Sequence, residues 1–239
     1  MKSILLETNT PFDTLMGKVY DNKPLSDLLQ SVLFSGERVS YNQYNIPAMD
    51  GEMYGFLINK NGALVVANRI FEVMLYNYFL SLKEMKDSPM SRSGSGCKEQ
   101  LIKNGRLNMK KLLERYVIAF DDIYEGNAES FSEEEGRRCF LLFIRPIING
   151  TGNYYIEAQT RNSERMDIVI DYLGERFVVE LKIWRGQAYH EKGETQLAQY
   201  LDHYHLDKGY LLTYSFNKSK HSGLTTKKIN GKTLVEAFV

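Results

Sequence analysis

The side chains best suited to chemistry are Asp167, Glu180 and Lys182, which stand in the apolar stretch MDIVIDYLGERFVVELKIW (residues 166–184). Its two halves are rich in Val, Ile, Phe and Tyr and flank the turn-forming letters LGER, which predicts a β-hairpin. If the central Gly-Glu pair forms a two-residue connection, Asp167 lies opposite Lys182, and Glu180 lies diagonal to Asp167. All three then share one face, although a turn longer by one residue would change the register.

That arrangement predicts a metal site. Two carboxylates held close together repel each other unless a cation lies between them. Mg²⁺ suits such a gap because it takes a few carboxylate oxygens and keeps several waters. Lys182 would place a compact positive charge where negative charge develops on a phosphate under attack. A solvated ion-pair cluster is the alternative, but the apolar neighbours make uncompensated charge costly and favour the metal site.

The order acid, acid, apolar residue, lysine (D…ELK) resembles the PD-(D/E)XK phosphodiesterase superfamily, with Asp167, Glu180 and Lys182 at its three motif positions. Met166 stands where the superfamily's name has proline, at a position that varies widely. The resemblance implies an α/β (α+β) restriction-endonuclease-like core, in which a mixed sheet is flanked by helices. It also implies metal-dependent hydrolysis of nucleic acid with Mg²⁺ or Mn²⁺, in which Leu181 offers its backbone carbonyl to the metal.

The segment after the hairpin predicts a helix from about Lys192 to His205 and then a strand over about 208–216. Gln196 and Tyr200 are four residues apart and so lie on one face of that helix. This Q-x-x-x-Y resembles the RecB-type nuclease branch, which implies that both side chains approach the metal site and the nucleic-acid backbone. Core packing of Tyr200 and a solvated position for Gln196 are the alternatives.

The upstream segment FSEEEGRRCFLLFIRPI predicts a helix with Ser132 as its N-cap and Glu135 at the third helical position, as in a capping box. The resemblance implies that this helix contributes a glutamate to the site. Of its glutamates, Glu135 is the nearest to the apolar residues of the same helix. Acidic residues favour any helix N-terminus whatever the function, so capping alone also explains Glu135.

The chain is expected to divide at KDSPMSRSGSGC, which is polar, rich in Ser and Gly and without periodicity. The following NMKKLLERYVIAFDDIY predicts a bridging helix. The expected organisation is therefore a module over 1–85, a linker with the bridging helix over 86–127, and a nuclease-like domain over 128–239.

The first module predicts a helix over 24–34, a hairpin with strands 52–58 and 63–67, and a helix over about 68–82. Helices followed by a hairpin indicate a winged-helix-like module. Residues 1–90 carry 8 basic and 10 acidic side chains. Because a groove-reading helix needs cationic contacts to phosphate, this module is expected to pack against the nuclease-like domain and not to read DNA sequence.

More widely, the chain resembles the C-terminal half of a bacterial family in which an AAA-type ATPase domain precedes a winged-helix segment and a PD-(D/E)XK domain. The likeness is carried by YGFLINKNGALVVANRIFEVMLYNYFLS and by IINGTGNYYIEAQTRNSERMDIVIDYLGERFVVELKIWRG…QLAQYLDHYHLDKGYLLTY. No G-x-x-x-x-G-K-[ST] phosphate loop occurs in the sequence. An ATPase domain is therefore expected only as a partner absent from this chain, which is either a fragment or a family member without the motor.

Composition limits the classes of protein. The chain has 239 residues, 43% of them hydrophobic, and a formal net charge of zero, so nucleic acid, with DNA favoured, would have to bind through local patches. Two cysteines, no signal peptide and no apolar run of membrane-spanning length predict a cytoplasmic protein. The alternative to a nuclease is a nuclease-like module that binds or regulates without cutting, but the intact acid, acid, lysine set favours the enzyme.

Overall fold

The computed structural model describes residues 10–34, 39–124, 131–156, 168–217 and 222–239. The architecture is mixed α/β, with a mixed sheet. The chain divides into two compact units, Met1–Leu82 and Lys83–Val239. Within the described ranges, no helix has the combination of length and apolar character that crossing a membrane requires.

The described residues of the first unit form four helices and a hairpin. In chain order these elements are α1 (Thr10–Asp21), α2 (Lys23–Phe34), α3 (Ile46–Met53), β1 (Leu57–Lys60), β2 (Ala63–Val66) and α4 (Arg69–Phe79). The hairpin turns at Asn61 and Gly62, whose φ angles of 53° and 77° are those of a type I′ connection. The strand predicted over 52–58 begins only at Leu57, because helix α3, which starts after its N-cap Asn45, occupies the chain through Met53.

The first unit packs around apolar residues at helical spacing. Leu25, Leu29 and Leu33 follow one another every four residues on α2 and are buried, as a core-facing stripe requires. The hydroxyl of Tyr76 on α4 donates a hydrogen bond of 3.0 Å to the backbone carbonyl of Leu33. The winged-helix assignment of this unit stays a prediction.

The second unit carries the six-stranded sheet. Its elements are α5 (Lys83–Lys86), α6 (Pro89–Leu101), β3 (Ile102–Lys103), β4 (Arg106–Leu107), α7 (Met109–Ile123), α8 (Glu133–Ile148), β5 (Gly152–Ile156), β6 (Ile168–Tyr172), β7 (Glu175–Ile183), α9 (Gln187–His203), β8 (Lys208–Tyr214), β9 (Gly223–Ile229) and β10 (Lys232–Phe238). The strand order is β5-β6-β7-β8-β10-β9. Strand β8 is parallel to both β7 and β10, and the other neighbours are antiparallel.

The prediction of a Ser/Gly-rich linker is wrong, because most of its residues form helix α6 in the second unit. The Ser88 hydroxyl caps the helix by accepting a hydrogen bond of 3.3 Å from the backbone N–H of Ser91. Gly94 is buried against α8 so closely that a Cβ there would overlap the carbonyl oxygen of Phe143. The small residues that indicated flexibility instead allow two helices to approach each other.

The β6–β7 hairpin is present, but its turn lies one residue earlier than predicted. Leu173 and Gly174, with φ angles of 50° and 85°, form the connection, so Tyr172 pairs with Glu175. The left-handed conformation at both positions matches the twist of the flanking strands. The pairing therefore shifts by two residues, which keeps every described side chain on its expected face.

The six-stranded sheet separates two layers of the second unit. On one face of the sheet, Val178 packs with Leu197 and Leu201 of α9. On the opposite face, the ring of Tyr214 lies against Gly136 of α8, whose carbonyl accepts a 2.8 Å hydrogen bond from the Tyr214 hydroxyl. Even-numbered residues of β7 therefore face α9, and odd-numbered residues face α8.

Candidate functional site

Glu180 and Lys182 form a buried ion pair in β7. Lys182 Nζ lies 2.9 Å from Glu180 Oε1, and the two residues are only 4% and 8% exposed. Their spacing of two residues places both side chains on the face that α9 covers. The pair is therefore not part of a solvated surface, and its charges are held where leaving either one uncompensated would be costly.

The lysine is accommodated by a glycine in the helix above it. A Cβ built at Gly193 of α9 would lie 3.4 Å from both Cγ and Cε of Lys182. Glycine is unfavourable inside a helix, by about 1 kcal/mol relative to alanine. Its place over Lys182 was not predicted from the sequence, because Gly193 stands at the second position of the predicted helix and inside the helix only once α9 begins at Gln187.

Asp167 lies outside the described residues, since the description resumes at Ile168. The same holds for Glu157, Arg161 and Arg165, which the sequence places before the hairpin. The predicted position of Asp167 beside Glu180, and with it the carboxylate pair, stays a prediction.

Glu135 and Leu181 are directed away from the Glu180–Lys182 pair. The backbone N–H of Glu135 donates a 3.1 Å hydrogen bond to the Ser132 hydroxyl, and its carboxylate pairs with Arg138 at 3.1 Å. Helix α8 packs on the face opposite Glu180, and the buried side chain of Leu181 points to that same opposite face. The ion pair with Arg138 therefore accounts for the Glu135 carboxylate, and the metal-binding roles of Glu135 and of the Leu181 backbone carbonyl stay predictions.

Gln196 and Tyr200 are half-buried on α9. The Tyr200 ring stacks on that of Tyr204, with centroids 6.0 Å apart. The helix begins at Gln187, five residues before the predicted start, directly after Gly186 with its φ of 104°. Its first turns therefore carry side chains that precede the predicted helix.

One of those side chains, His190, belongs to a second buried cluster on the same face of the sheet. His190 Nε2 lies 3.2 Å from Glu194 Oε1 and 3.5 Å from Glu236 Oε1. Lys227 Nζ contacts Glu194 Oε1 and lies 3.0 Å from Glu236 Oε1. His190 and Glu194 are one helical turn apart on α9, while Lys227 and Glu236 come from β9 and β10.

The ligand atoms of His190, Glu194 and Glu236 all lie within 4.8 Å of one another, so this group could hold a metal ion. Burial by itself raises the pKa of Glu236, but the contacts of its carboxylate with His190 and with the Lys227 ammonium group outweigh burial. The pKa of Glu236 is therefore lowered from its ordinary value of 4.5. This group was not predicted from the sequence. The pattern H-x-x-x-E at helical spacing is a signal that could have indicated two of its members, His190 and Glu194.

Aromatic packing fixes the orientation of the imidazole. The His190 ring packs against those of Trp184 and Phe238, with centroid distances of 5.1 Å and 5.3 Å, and these two rings also contact each other, with centroids 6.2 Å apart. Thr213, which pairs with Lys182 in the ladder and is fully buried, adds a hydroxyl to the same face. Among the described residues, that hydroxyl and both His190 nitrogens have no partner in hydrogen-bond geometry.

No family model matches the chain, and no curated protein matches it.

Proposed function

We propose that this chain hydrolyses phosphodiester bonds in nucleic acid, with DNA as the favoured substrate, in a reaction that depends on Mg²⁺ or Mn²⁺. The observation that carries the proposal is the Glu180–Lys182 pair, buried together on one face of β7 and covered by α9. Ionisable groups in apolar surroundings are expensive for stability and therefore mark functional sites. Asp167, one residue before β6 in the sequence, supplies the second acid.

The order of elements supports a PD-(D/E)XK core. Helix α8, strand β5, the β6–β7 hairpin, helix α9 and strand β8 follow one another along the chain. The sequence resemblance implied the same succession of helix, strand, hairpin, helix and strand. The mixed sheet flanked by α8 and α9 is consistent with that core.

Some of the residues would bind the metal ion, and others would stabilise charge on the phosphate or orient the nucleic acid. Asp167 and Glu180 would hold the divalent ion, and the chemistry that the ion would supply is a nucleophile, through a lowered pKa of a bound water. Lys182 compensates Glu180 before metal binding and afterwards stabilises charge that develops on the phosphate oxygens. Gln196 and Tyr200, one turn apart on the covering helix, orient the nucleic-acid backbone.

Calorimetry with Mg²⁺ and Mn²⁺, combined with cleavage assays on single-stranded, duplex and branched DNA and on RNA, tests the proposal. Asp167→Asn and Glu180→Gln should each abolish Mg²⁺ binding and cleavage. Lys182→Met should keep metal binding but slow cleavage by about 100-fold, as expected for loss of one oxyanion-stabilising group.

Glu191→Gln is the matched control, because Glu191 is an exposed glutamate on α9 and its carboxylate accepts a hydrogen bond from Gln187. It should leave binding and cleavage unchanged. If Glu180→Gln binds metal and cuts like the parent protein, the proposal fails.

A second candidate is a nuclease-like module that binds or regulates without cutting, as a partner of an ATPase domain. The observation that favours it is the direct contact of Lys182 with Glu180, which compensates the acid without a metal ion. This candidate predicts nucleic-acid binding that is independent of divalent ions and unaffected by Glu180→Gln.

A further inference from the structure

Two buried carboxylates converge on one point beneath the first turns of α9. Glu194 and Glu236 are 3% and 2% exposed, and the same oxygen of each, Oε1, contacts the single ammonium group of Lys227. Two buried carboxylates whose oxygens lie within 4.8 Å of each other cannot both stay ionised unless a cation compensates them. The point between them is therefore a cation position.

The imidazole of His190 adds a nitrogen ligand to that position. His190 is 4% exposed, and its Nε2 points at the two carboxylate oxygens without making a hydrogen bond in good geometry to either. The rings of Trp184 and Phe238 hold it in that orientation. A buried imidazole aimed at two carboxylates is a donor set suited to zinc and other divalent first-row transition ions.

The residues around this position allow a metal ion to replace the Lys227 ammonium group. Thr225 donates a 3.3 Å hydrogen bond to Glu236 Oε2, which leaves Oε1 for a metal ion and fixes the carboxylate. The side chain of Lys227 is 37% exposed, against 10% for Lys182. Lys227 can therefore swing into solvent, whereas the ligands are held by the sheet and the helix.

We propose that His190, Glu194 and Glu236 form a second metal site, distinct from the Glu180–Lys182 site, which binds Zn²⁺ in exchange for the Lys227 ammonium. Glu180 and Glu236 both align with Leu211 of the intervening strand β8, from opposite sides. The two sites are thus two strands apart, at about 10 Å. The Lys227 ammonium group competes with the metal ion and occupies the cation position when no metal ion is bound.

The single tryptophan of the chain, Trp184, reports on this site because its ring packs on His190. Titration of the untagged 239-residue chain with Zn²⁺ should change Trp184 fluorescence, and calorimetry should show one matching binding event. Glu194→Gln and His190→Ala should each weaken that event by at least about 100-fold, more than loss of an outer-sphere partner does. Glu180→Gln should leave it unchanged, which separates this site from the proposed catalytic one.

Lys227→Met is the decisive variant, since loss of folding cannot imitate a gain in affinity. It should destabilise the metal-free protein and tighten Zn²⁺ binding by about tenfold or more, because no ammonium ion has to be displaced. Lys228→Met, at the exposed position next to Lys227 in the chain, is the matched control and should change neither property. Zn²⁺ binding that is absent, or that Glu194→Gln and Lys227→Met leave unaltered, would overturn the proposal.

Discussion

The carbonyl oxygen of Phe143 on α8 occupies the place where a Cβ of residue 94 on α6 would stand. Gly94→Ala should therefore destabilise the protein by about 1–3 kcal/mol or more, because backbone on one of two packed helices has to move. Urea denaturation of the parent and the variant measures this difference in the free energy of unfolding.

Gly96 on the same helix provides the matched control. It is exposed, and a Cβ there would meet no atom within 4 Å. Gly96→Ala should stabilise the protein by up to about 1 kcal/mol through helix propensity alone. Equal effects of the two substitutions would show that α6 does not pack on α8 through Gly94.

Gly193 should tolerate a methyl group and reject a larger side chain. At 3.4 Å from Lys182 Cγ and Cε, a Cβ makes ordinary contact, so Gly193→Ala should gain up to about 1 kcal/mol of stability. Gly193→Leu should push the lysine stem aside and cost about 1–3 kcal/mol. Thermal unfolding ranks the three proteins, and a Leu variant as stable as the Ala variant would contradict this packing.

The Glu180–Lys182 pair should show strong coupling in a double-mutant cycle. Glu180→Gln and Lys182→Met each leave a partly uncompensated buried charge and should each cost about 3–5 kcal/mol. The double variant should cost clearly less than the sum, since it removes both charges together. Additive losses in the free energy of unfolding would indicate that the two side chains are stabilised by separate partners.

Stability in acid should depend on Glu236. Because its folded pKa is lowered from 4.5, its contribution is present above that value and is lost as the pH falls through the folded pKa. Glu236→Gln should therefore flatten the decline of unfolding free energy below about pH 4.5. An unchanged slope would show that Glu236 is not stabilised in its ionised form.

Stability in alkali should depend on Cys139. Burial raises the pKa of its thiol from 9.0 to about 12, with the Arg138 charge lowering and the Glu135 charge raising it. The contribution is complete below pH 9 and is lost as the pH rises towards 12, at about 1.4 kcal/mol per pH unit. Cys139→Ala should reduce this slope, measured by urea denaturation between pH 8 and 11; an equally steep loss in the variant would exclude the thiol as the cause.

The sequence by itself determined the features that depend on neighbouring residues. The Ser132 cap placed the start of α8, and alternation placed Glu180 and Lys182 on one face of a strand. A turn misplaced by one residue did not disturb those faces, since the register shifted by an even number. Such signals act over a few residues and can be recognised without knowing the fold.

Only the tertiary structure decided which distant side chains meet. The Ser/Gly-rich stretch predicts a flexible linker until α8 is seen to pack against Gly94. His190, Lys227 and Glu236 come from three elements, and no local pattern links them. They meet because β10 inserts between β8 and β9 while α9 crosses the same face, and burial there turns three ordinary charged or ionisable residues into one interacting group.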